Sequence, residues 1–205
     1  MPGIGVIACD MMRLELEKVL PEFPEITEVL WLESALHIYP VRMKDTILDR
    51  INEMKGRVDV VFLGYGYCQS LKGIEEEVDI PVYLPQFDDC IAMLFGPERY
   101  AAEVKKEAGT WFMTPGWAEI GAELVIKELK LERARKYGKD PMVLAKRLFT
   151  HYRRGLYIDT GVGDNDLFLE KAEQVCRDFD LVLEKTSAEP VILAQELEKC
   201  RRCKV

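Results

Sequence analysis

The sequence has little histidine, no long apolar segment and no excess of positive charge, and each shortage excludes a class of protein. Only 2 of the 205 residues are histidine, so a histidine-rich metal site is excluded. No apolar run approaches the roughly 20 residues that span a bilayer. The formal net charge of -8 argues against a nucleic-acid-binding protein, which usually presents a basic face. We therefore expect a protein that contacts neither membranes nor nucleic acids.

The N-terminal residues lack the basic segment that opens a secretory signal, so we expect a cytoplasmic location. A composition of 48% hydrophobic and 31% charged residues is typical of a globular protein with a substantial core. The chain also contains six cysteines. Because cytoplasmic thiols stay reduced, these cysteines are expected to be buried side chains, metal ligands or reactive thiols rather than disulfides.

Apolar runs of strand length alternate with amphipathic helical segments along the chain. Strands are predicted at 5–9, 28–32, 59–63, 82–84, 110–113, 155–158 and 181–184. The longest predicted helix covers 118–135. This alternation predicts an α/β fold with mainly parallel sheets flanked by helices. We predict one α/β unit over 1–205, and a division into two Rossmann-like lobes around a cleft, 1–108 and 109–205, is an open alternative.

Three cysteines stand where predicted strands run into turns. Cys9 ends the first apolar run, Cys68 follows the turn that begins at Gly64, and Cys90 opens a predicted helix. In an open parallel sheet the ligand crevice lies outside the carboxyl ends of the strands, so these thiols are expected at one edge. Three thiolates bind soft metals and leave one coordination position open for chemistry. The sequence therefore predicts a metal site built from Cys9, Cys68 and Cys90.

The turn before Cys68 is the candidate cofactor-binding element. Gly64 and Gly66 free the backbone for close approach to a ligand, and Tyr67 lies beside them. The spacing is not a dinucleotide-binding fingerprint, because Gln69 stands where a third glycine is required. The turn is therefore either a small anion-binding nest of backbone N–H groups or a simple tight turn.

Three aspartates near strand ends are candidate acid–base groups. Asp10 follows Cys9, Asp89 precedes Cys90, and Asp159 ends a later predicted strand. Asp88 or Asp89 can also cap the helix that follows. The positive end of that helix dipole is expected to lower the pKa of the Cys90 thiol and favour the thiolate. Cys90 is therefore also the candidate nucleophile for chemistry without a metal.

Several short motifs also support a family resemblance. In chain order they are Cys9-Asp10, Tyr65-Gly66-Tyr67-Cys68, Leu84-Pro85, Asp88-Asp89-Cys90-Ile91, Gly109-Thr110-Trp111, Thr114-Pro115-Gly116-Trp117 and Tyr157-Ile158-Asp159-Thr160-Gly161. Together they resemble an uncharacterised domain-of-unknown-function family, DUF1638, of methanogenic archaea and anaerobic bacteria. In that family the three cysteines belong to the signature, and members are often encoded near corrinoid-dependent methyltransferases. One departure is that Gln86 follows Pro85 where the family tends to have arginine, and Asp88 replaces a histidine.

We therefore predict a cytoplasmic metal-binding protein, which the resemblance sets in anaerobic one-carbon or methyl-transfer metabolism. An iron–sulfur cluster is the first expectation and zinc the second. The resemblance implies action on a small thiol or methyl donor, or assistance to a corrinoid protein or methyltransferase. Whether the chain is an enzyme stays open. The alternatives are a non-catalytic binding or chaperone module, docked through the basic segment 127–154, and a metal-free enzyme with Cys90 as nucleophile.

Overall fold

The computed structural model describes residues 3–34, 36, 39–67 and 70–203, and the chain forms two compact units. The first unit contains Met1–Pro97 and Glu189–Val205, and the second contains Glu98–Ala188. The C-terminal helix therefore belongs to the same unit as the N-terminal sheet. The single unit over 1–205 and the lobes 1–108 and 109–205 stay predictions.

Strands and helices alternate along the described chain, which confirms the predicted α/β fold. The strands are β1 Gly3–Cys9, β2 Ile26–Leu32, β3 Val58–Gly64, β4 Val82–Tyr83, β5 Thr110–Met113, β6 Arg154–Asp159 and β7 Val182–Ser187. The α-helices are α1 Arg13–Val19, α2 Pro40–Met54, α3 Cys90–Phe95, α4 Pro97–Lys106, α5 Pro115–Ile120, α6 Ala122–Glu128, α7 Pro141–Leu148, α8 Asn165–Phe179 and α9 Val191–Arg202. Short 3-10 helices cover Asp10–Met12, Leu20–Glu22, Ile74–Glu76, Leu131–Tyr137 and Phe149–His151. Within the described ranges, no helix has the length and hydrophobicity of a membrane span.

The first unit contains a parallel sheet whose strand order reverses beside β1. The described strands lie in the order β2-β1-β3-β4, and all of their pairings are parallel. Ala8 in β1 lies opposite Trp31 in β2 on one side and Gly64 in β3 on the other. The chain therefore adds β2 to one side of β1 and then crosses to add β3 on the other. In open α/β sheets, ligands bind outside the carboxyl ends of the strands at such a switch point.

Helices cover both faces of this first sheet. One face of β1 and β3 packs into a cluster that also holds buried residues of α1, α3 and α9, among them Leu16, Leu94 and Leu197. The buried positions of α2 are Met43, Ile47, Ile51 and Met54, and the Met54 sulfur lies against Gly5 in β1. Because both faces are covered, β1 is buried along its whole length, which is why its sequence is continuously apolar.

The second unit contains a parallel sheet whose order, β5-β6-β7, follows the chain in the described strands. Arg154 at the start of β6 is 3% exposed. Its guanidinium donates to the Thr110 hydroxyl at 2.9 Å, the Glu103 carboxylate at 2.6 Å and the Glu184 carboxylate at 3.1 Å. A buried charge is tolerated here because paired carboxylates and hydrogen bonds replace its hydration.

The prediction of one long helix over 118–135 is wrong. The chain instead forms α5, α6 and the 3-10 helix Leu131–Tyr137. Gly121 and Lys130, at the two breaks, have φ angles of 66° and 56°, outside the right-handed helical region. The apolar pattern continues across both breaks, so periodicity alone could not detect them.

Candidate functional site

Cys9 and Tyr65 lie side by side at the switch point of the first sheet. Cys9 is the last residue of β1, and Tyr65 is the first residue after β3. The register pairs Ala8 with Gly64, so the next residue of each chain segment stands at the same edge. Neighbouring strands are about 4.8 Å apart. Both side chains are therefore positioned by the carboxyl ends of two adjacent, buried strands.

The turn after β3 packs against the segment that precedes α3. A Cβ atom at Gly66 would lie 2.4 Å from the Asp89 Cα, so the two backbones are in direct contact. The Tyr67 N–H donates to the Phe87 carbonyl at 2.6 Å. Asp89 caps α3, as predicted, because its carboxylate accepts a backbone N–H of the first turn at 2.7 Å. These contacts bring Cys90, the first residue of α3, to the same edge.

Gly64 and Gly66 pack closely against other segments of the protein chain. A Cβ at Gly64 would lie 2.5 Å from the Ala8 Cβ, and Gly66 meets Asp89 as described above. Both glycines are therefore required by packing between neighbouring segments. Cofactor binding by Gly64, Gly66 and Tyr67 stays a prediction.

The Cys9 and Cys90 thiols share this edge and act on one another electrostatically. Cys9 is buried and Cys90 is partly buried. Burial is the largest cause that raises the pKa of Cys90 well above its ordinary value, and the charges of Cys9, Asp89 and Glu15 raise it further. The expected net lowering of this pKa is wrong. A backbone hydrogen bond at the start of the helix does lower it, but desolvation and the neighbouring charges outweigh that effect. A protonated thiol is a poor nucleophile, which disfavours Cys90 as a nucleophile without a metal.

Tyr65 places a buried hydroxyl in the same cluster. The residue is 8% exposed, and its hydroxyl has no hydrogen-bond partner among the described residues. Burial, followed by the charges of Cys9 and Cys90, raises the pKa of Tyr65 far above its ordinary value. The phenol therefore stays protonated. A buried hydroxyl without an acceptor costs about 1–3 kcal/mol, so its retention needs an explanation.

Glu15 is a member of this cluster that the motifs did not indicate. It is fully buried in α1, and its charge contributes to the raised pKa of Cys90. Helical periodicity does contain a signal, because Glu15 lies three residues after Met12 and four before Val19, both buried. A carboxylate at that spacing falls on the apolar face of the helix. Among the described residues, the side-chain charges that raise the pKa of Cys90 are all negative.

Cys68 lies outside the described residues, as does Gln69. Among the residues that are described, no group of three or more His, Cys, Asp or Glu side chains is arranged to hold a metal ion. The structure therefore brings together two of the three predicted ligands, Cys9 and Cys90, and the third stays a prediction. In sequence, Cys68 directly follows Tyr67, whose backbone is bonded to the segment that leads into α3.

The remaining two candidate acid–base aspartates have local partners. Asp10 pairs with Arg13 at 2.5 Å, and the Arg13 guanidinium also lies 4.8 Å from the centre of the Trp31 ring. Asp159 belongs to the second unit, where its carboxylate accepts the Gly161 N–H at 2.8 Å. Acid–base roles for Asp10, Asp89 and Asp159 stay predictions.

The fold and this edge define an α/β protein with thiols at a topological switch point. A family profile described as a protein of unknown function, DUF1638, matches residues 31–197. The chain therefore belongs to the DUF1638 family, which confirms the resemblance of its motifs. The matched range includes Cys68 and Cys90 and begins after Cys9. No curated protein matches the chain.

Proposed function

We propose that this chain binds a metal centre through Cys9, Cys68 and Cys90 at the carboxyl edge of β1 and β3. The observation that carries the proposal is the cluster of Cys9, Cys90 and Glu15, in which the charges acting on Cys90 are negative. In the metal-free protein the raised pKa keeps the Cys90 proton in place. A metal cation would replace thiol protons and compensate the negative charge, which is how metal binding couples to ligand deprotonation.

The ligand chemistry favours a soft metal centre. Thiolates select iron–sulfur clusters and zinc over magnesium or calcium. An iron–sulfur cluster with one open iron is our first proposal, because iron–sulfur clusters are held by cysteine thiolates and three protein ligands leave one position for a substrate. Zinc in a three-cysteine site with an open position is the second.

The setting we propose is anaerobic one-carbon or methyl-transfer metabolism in the cytoplasm. It rests on the genomic neighbourhood that the family resemblance implies and on the reduced state that free thiols require. In that setting the chain would act on a small thiol or a methyl donor, or would assist a corrinoid protein or methyltransferase. Cys9, Cys68 and Cys90 would hold the centre, and its open position would supply Lewis-acid or redox chemistry.

Metal and acid-labile sulfide analysis of protein purified without oxygen tests this proposal. Iron with sulfide and a broad visible charge-transfer band supports the cluster. Zinc alone selects the second form of the proposal. Protein that contains neither metal, and takes up neither iron with sulfide nor zinc on reconstitution, contradicts both forms.

Cysteine variants test the ligand set. Cys68→Ala is expected to remove most of the bound metal, because it deletes one of three ligands. Cys203→Ala is the matched control, since Cys203 is exposed at the end of α9, and it is expected to remove little. The reverse pattern would contradict the proposed site.

A further inference from the structure

The Tyr65 hydroxyl is a hydrogen-bond donor that has no acceptor among the described residues. It lies near the Cys9 and Cys90 sulfurs, which metal binding would convert into stronger acceptors. It is buried and unbonded among the described residues, in a residue that is 8% exposed. Removing it would cost the fold nothing in hydrogen bonds. A buried donor without a partner is destabilising, so its presence requires an explanation, of which a bound ion is one.

The backbone places Tyr65 between the segments that carry Cys9 and Cys90. On one side, the parallel register puts Tyr65 beside Cys9 across β1 and β3. On the other side, the next residue, Gly66, is in backbone contact with Asp89, the residue before Cys90. Since the hydroxyl has no acceptor among the described residues, neither the Cys9 sulfur nor the Cys90 sulfur accepts its hydrogen bond in this structure.

A metal ion changes the acceptor strength of these sulfurs. Thiols are weak acceptors, whereas a thiolate carries charge, and hydrogen bonds to ionised groups are shorter and stronger. Replacement of the thiol protons by a metal would thus create an acceptor beside a donor that is already in place. Partners of this kind orient metal ligands and tune the centre.

We propose that Tyr65 is a positioning residue whose hydroxyl donates a hydrogen bond to the metal-bound sulfur of Cys9 or Cys90. This inference rests on the proposed metal site. It adds that the Tyr65 hydroxyl adjusts how strongly the cysteine sulfur donates to the metal. A hydrogen bond to sulfur withdraws electron density from the metal–thiolate bond. In an iron–sulfur centre, such bonds are among the factors that set the reduction potential.

The test uses Co²⁺ added to metal-free protein without oxygen, because its thiolate charge-transfer band reports the sulfur ligands directly. Tyr65→Phe removes only the hydroxyl. It is expected to move the band to longer wavelength and to weaken Co²⁺ binding about tenfold to a hundredfold. Tyr137→Phe is the matched control, since Tyr137 is 80% exposed, and it should change neither property.

A second measurement separates this role from a structural one. If the hydroxyl has no acceptor without metal, the unfolding midpoint of metal-free Tyr65→Phe should equal or exceed that of the original protein. A lower midpoint would overturn the inference, because it would reveal a structural hydrogen bond.

The outcomes distinguish the two proposals. If the original protein shows no thiolate–Co²⁺ band and takes up neither iron with sulfide nor zinc, both the metal site and the role of Tyr65 fail. If it shows the band but Tyr65→Phe has the same band and the same Co²⁺ affinity, the metal site stands and only the role of Tyr65 is overturned.

Discussion

A buried arginine of the second unit and a buried tyrosine of the first unit differ in whether their polar groups have hydrogen-bond partners. In the second unit, whose described strand order shows no reversal, Arg154 is bonded to Thr110, Glu103 and Glu184. In the first unit, the strand order reverses beside β1, and there Tyr65 keeps a buried hydroxyl without an acceptor among the described residues. A fold tolerates a buried charge when carboxylates and hydrogen bonds satisfy it. The unsatisfied donor at the switch point is the group for which we propose a metal-bound thiolate as acceptor.

Thr114 in the second unit limits this contrast. It follows β5, is fully buried, and its hydroxyl has no hydrogen-bond partner among the described residues. An unmatched hydroxyl alone therefore does not identify a metal site. What distinguishes the first edge is that Cys9, Cys90 and Glu15 act electrostatically at the place where Tyr65 is buried.

The largest expected effect is the loss of stability when the buried Arg154 of the second unit is replaced. Arg154→Met removes the charged hydrogen bonds from the buried guanidinium to Thr110, Glu103 and Glu184, and it should lower the free energy of unfolding by about 3 kcal/mol. Denaturant unfolding measures this change. Arg153→Met is the control, because Arg153 is exposed, and it should change stability by less than about 0.5 kcal/mol. Equal effects of the two substitutions would show that the Arg154 contacts are not structural.

The next effect concerns thiol reactivity in metal-free protein. Burial raises the pKa of Cys176 in the second unit to about 11, with Glu173 adding to the rise. Each unit of pKa is a tenfold change in thiolate fraction, so at pH 8 Cys176 should be alkylated about a hundredfold more slowly than an ordinary exposed thiol. Its rate should keep rising with pH until about its pKa.

Peptide-level mass spectrometry of alkylated protein follows each cysteine separately. Cys90 should also react slowly near neutral pH and accelerate as pH rises, because its pKa is raised by burial and by Cys9. Cys203, which is exposed, should react before Cys90 and Cys176. Rapid labelling of Cys90 at pH 7 would contradict the raised pKa and would restore the nucleophile hypothesis.

The smallest effect compares two tightly packed glycines. Gly66→Ala forces a Cβ against the Asp89 backbone and should destabilise the protein by about 2 kcal/mol. In Gly155→Ala the new Cβ meets the Cys176 sulfur and the Met113 terminal methyl, side-chain atoms that can move, so we expect a smaller loss. Unfolding midpoints measure both. A larger loss at Gly155 would mean that the turn of the first unit adjusts more readily than its contacts indicate.

Much of the first sheet could be predicted from the sequence, because strands buried on both faces are continuously apolar. Thus the runs at 5–9 and 59–63 lie within β1 and β3. The two breaks in the helix predicted over 118–135 could not be predicted, because they depend on the backbone angles of Gly121 and Lys130. The spacing of apolar residues indicates which side chains are buried, but it does not indicate the backbone φ angle at which a helix breaks.

Part of the candidate cluster could be predicted for a related reason. Cys9 and Cys90 were expected at one edge because residues at the carboxyl ends of parallel strands meet there, and a metal site at that edge stays a prediction. Glu15 was missed because no motif contains it, although its helical spacing points to the buried face. Tyr65 belongs to a quoted motif, but its burial depends on how Gly66 packs against Asp89.

The sequence by itself determined the α/β class, the family and the cysteines at strand ends, because these depend on local apolar patterns and ordered motifs. Only the tertiary structure decided that β1 and β3 are neighbours, that Cys90 is desolvated among negative charges, and that the Tyr65 hydroxyl is buried without an acceptor. Strand order, desolvation and hydrogen-bond satisfaction all depend on residues distant in the chain, and no local pattern encodes them.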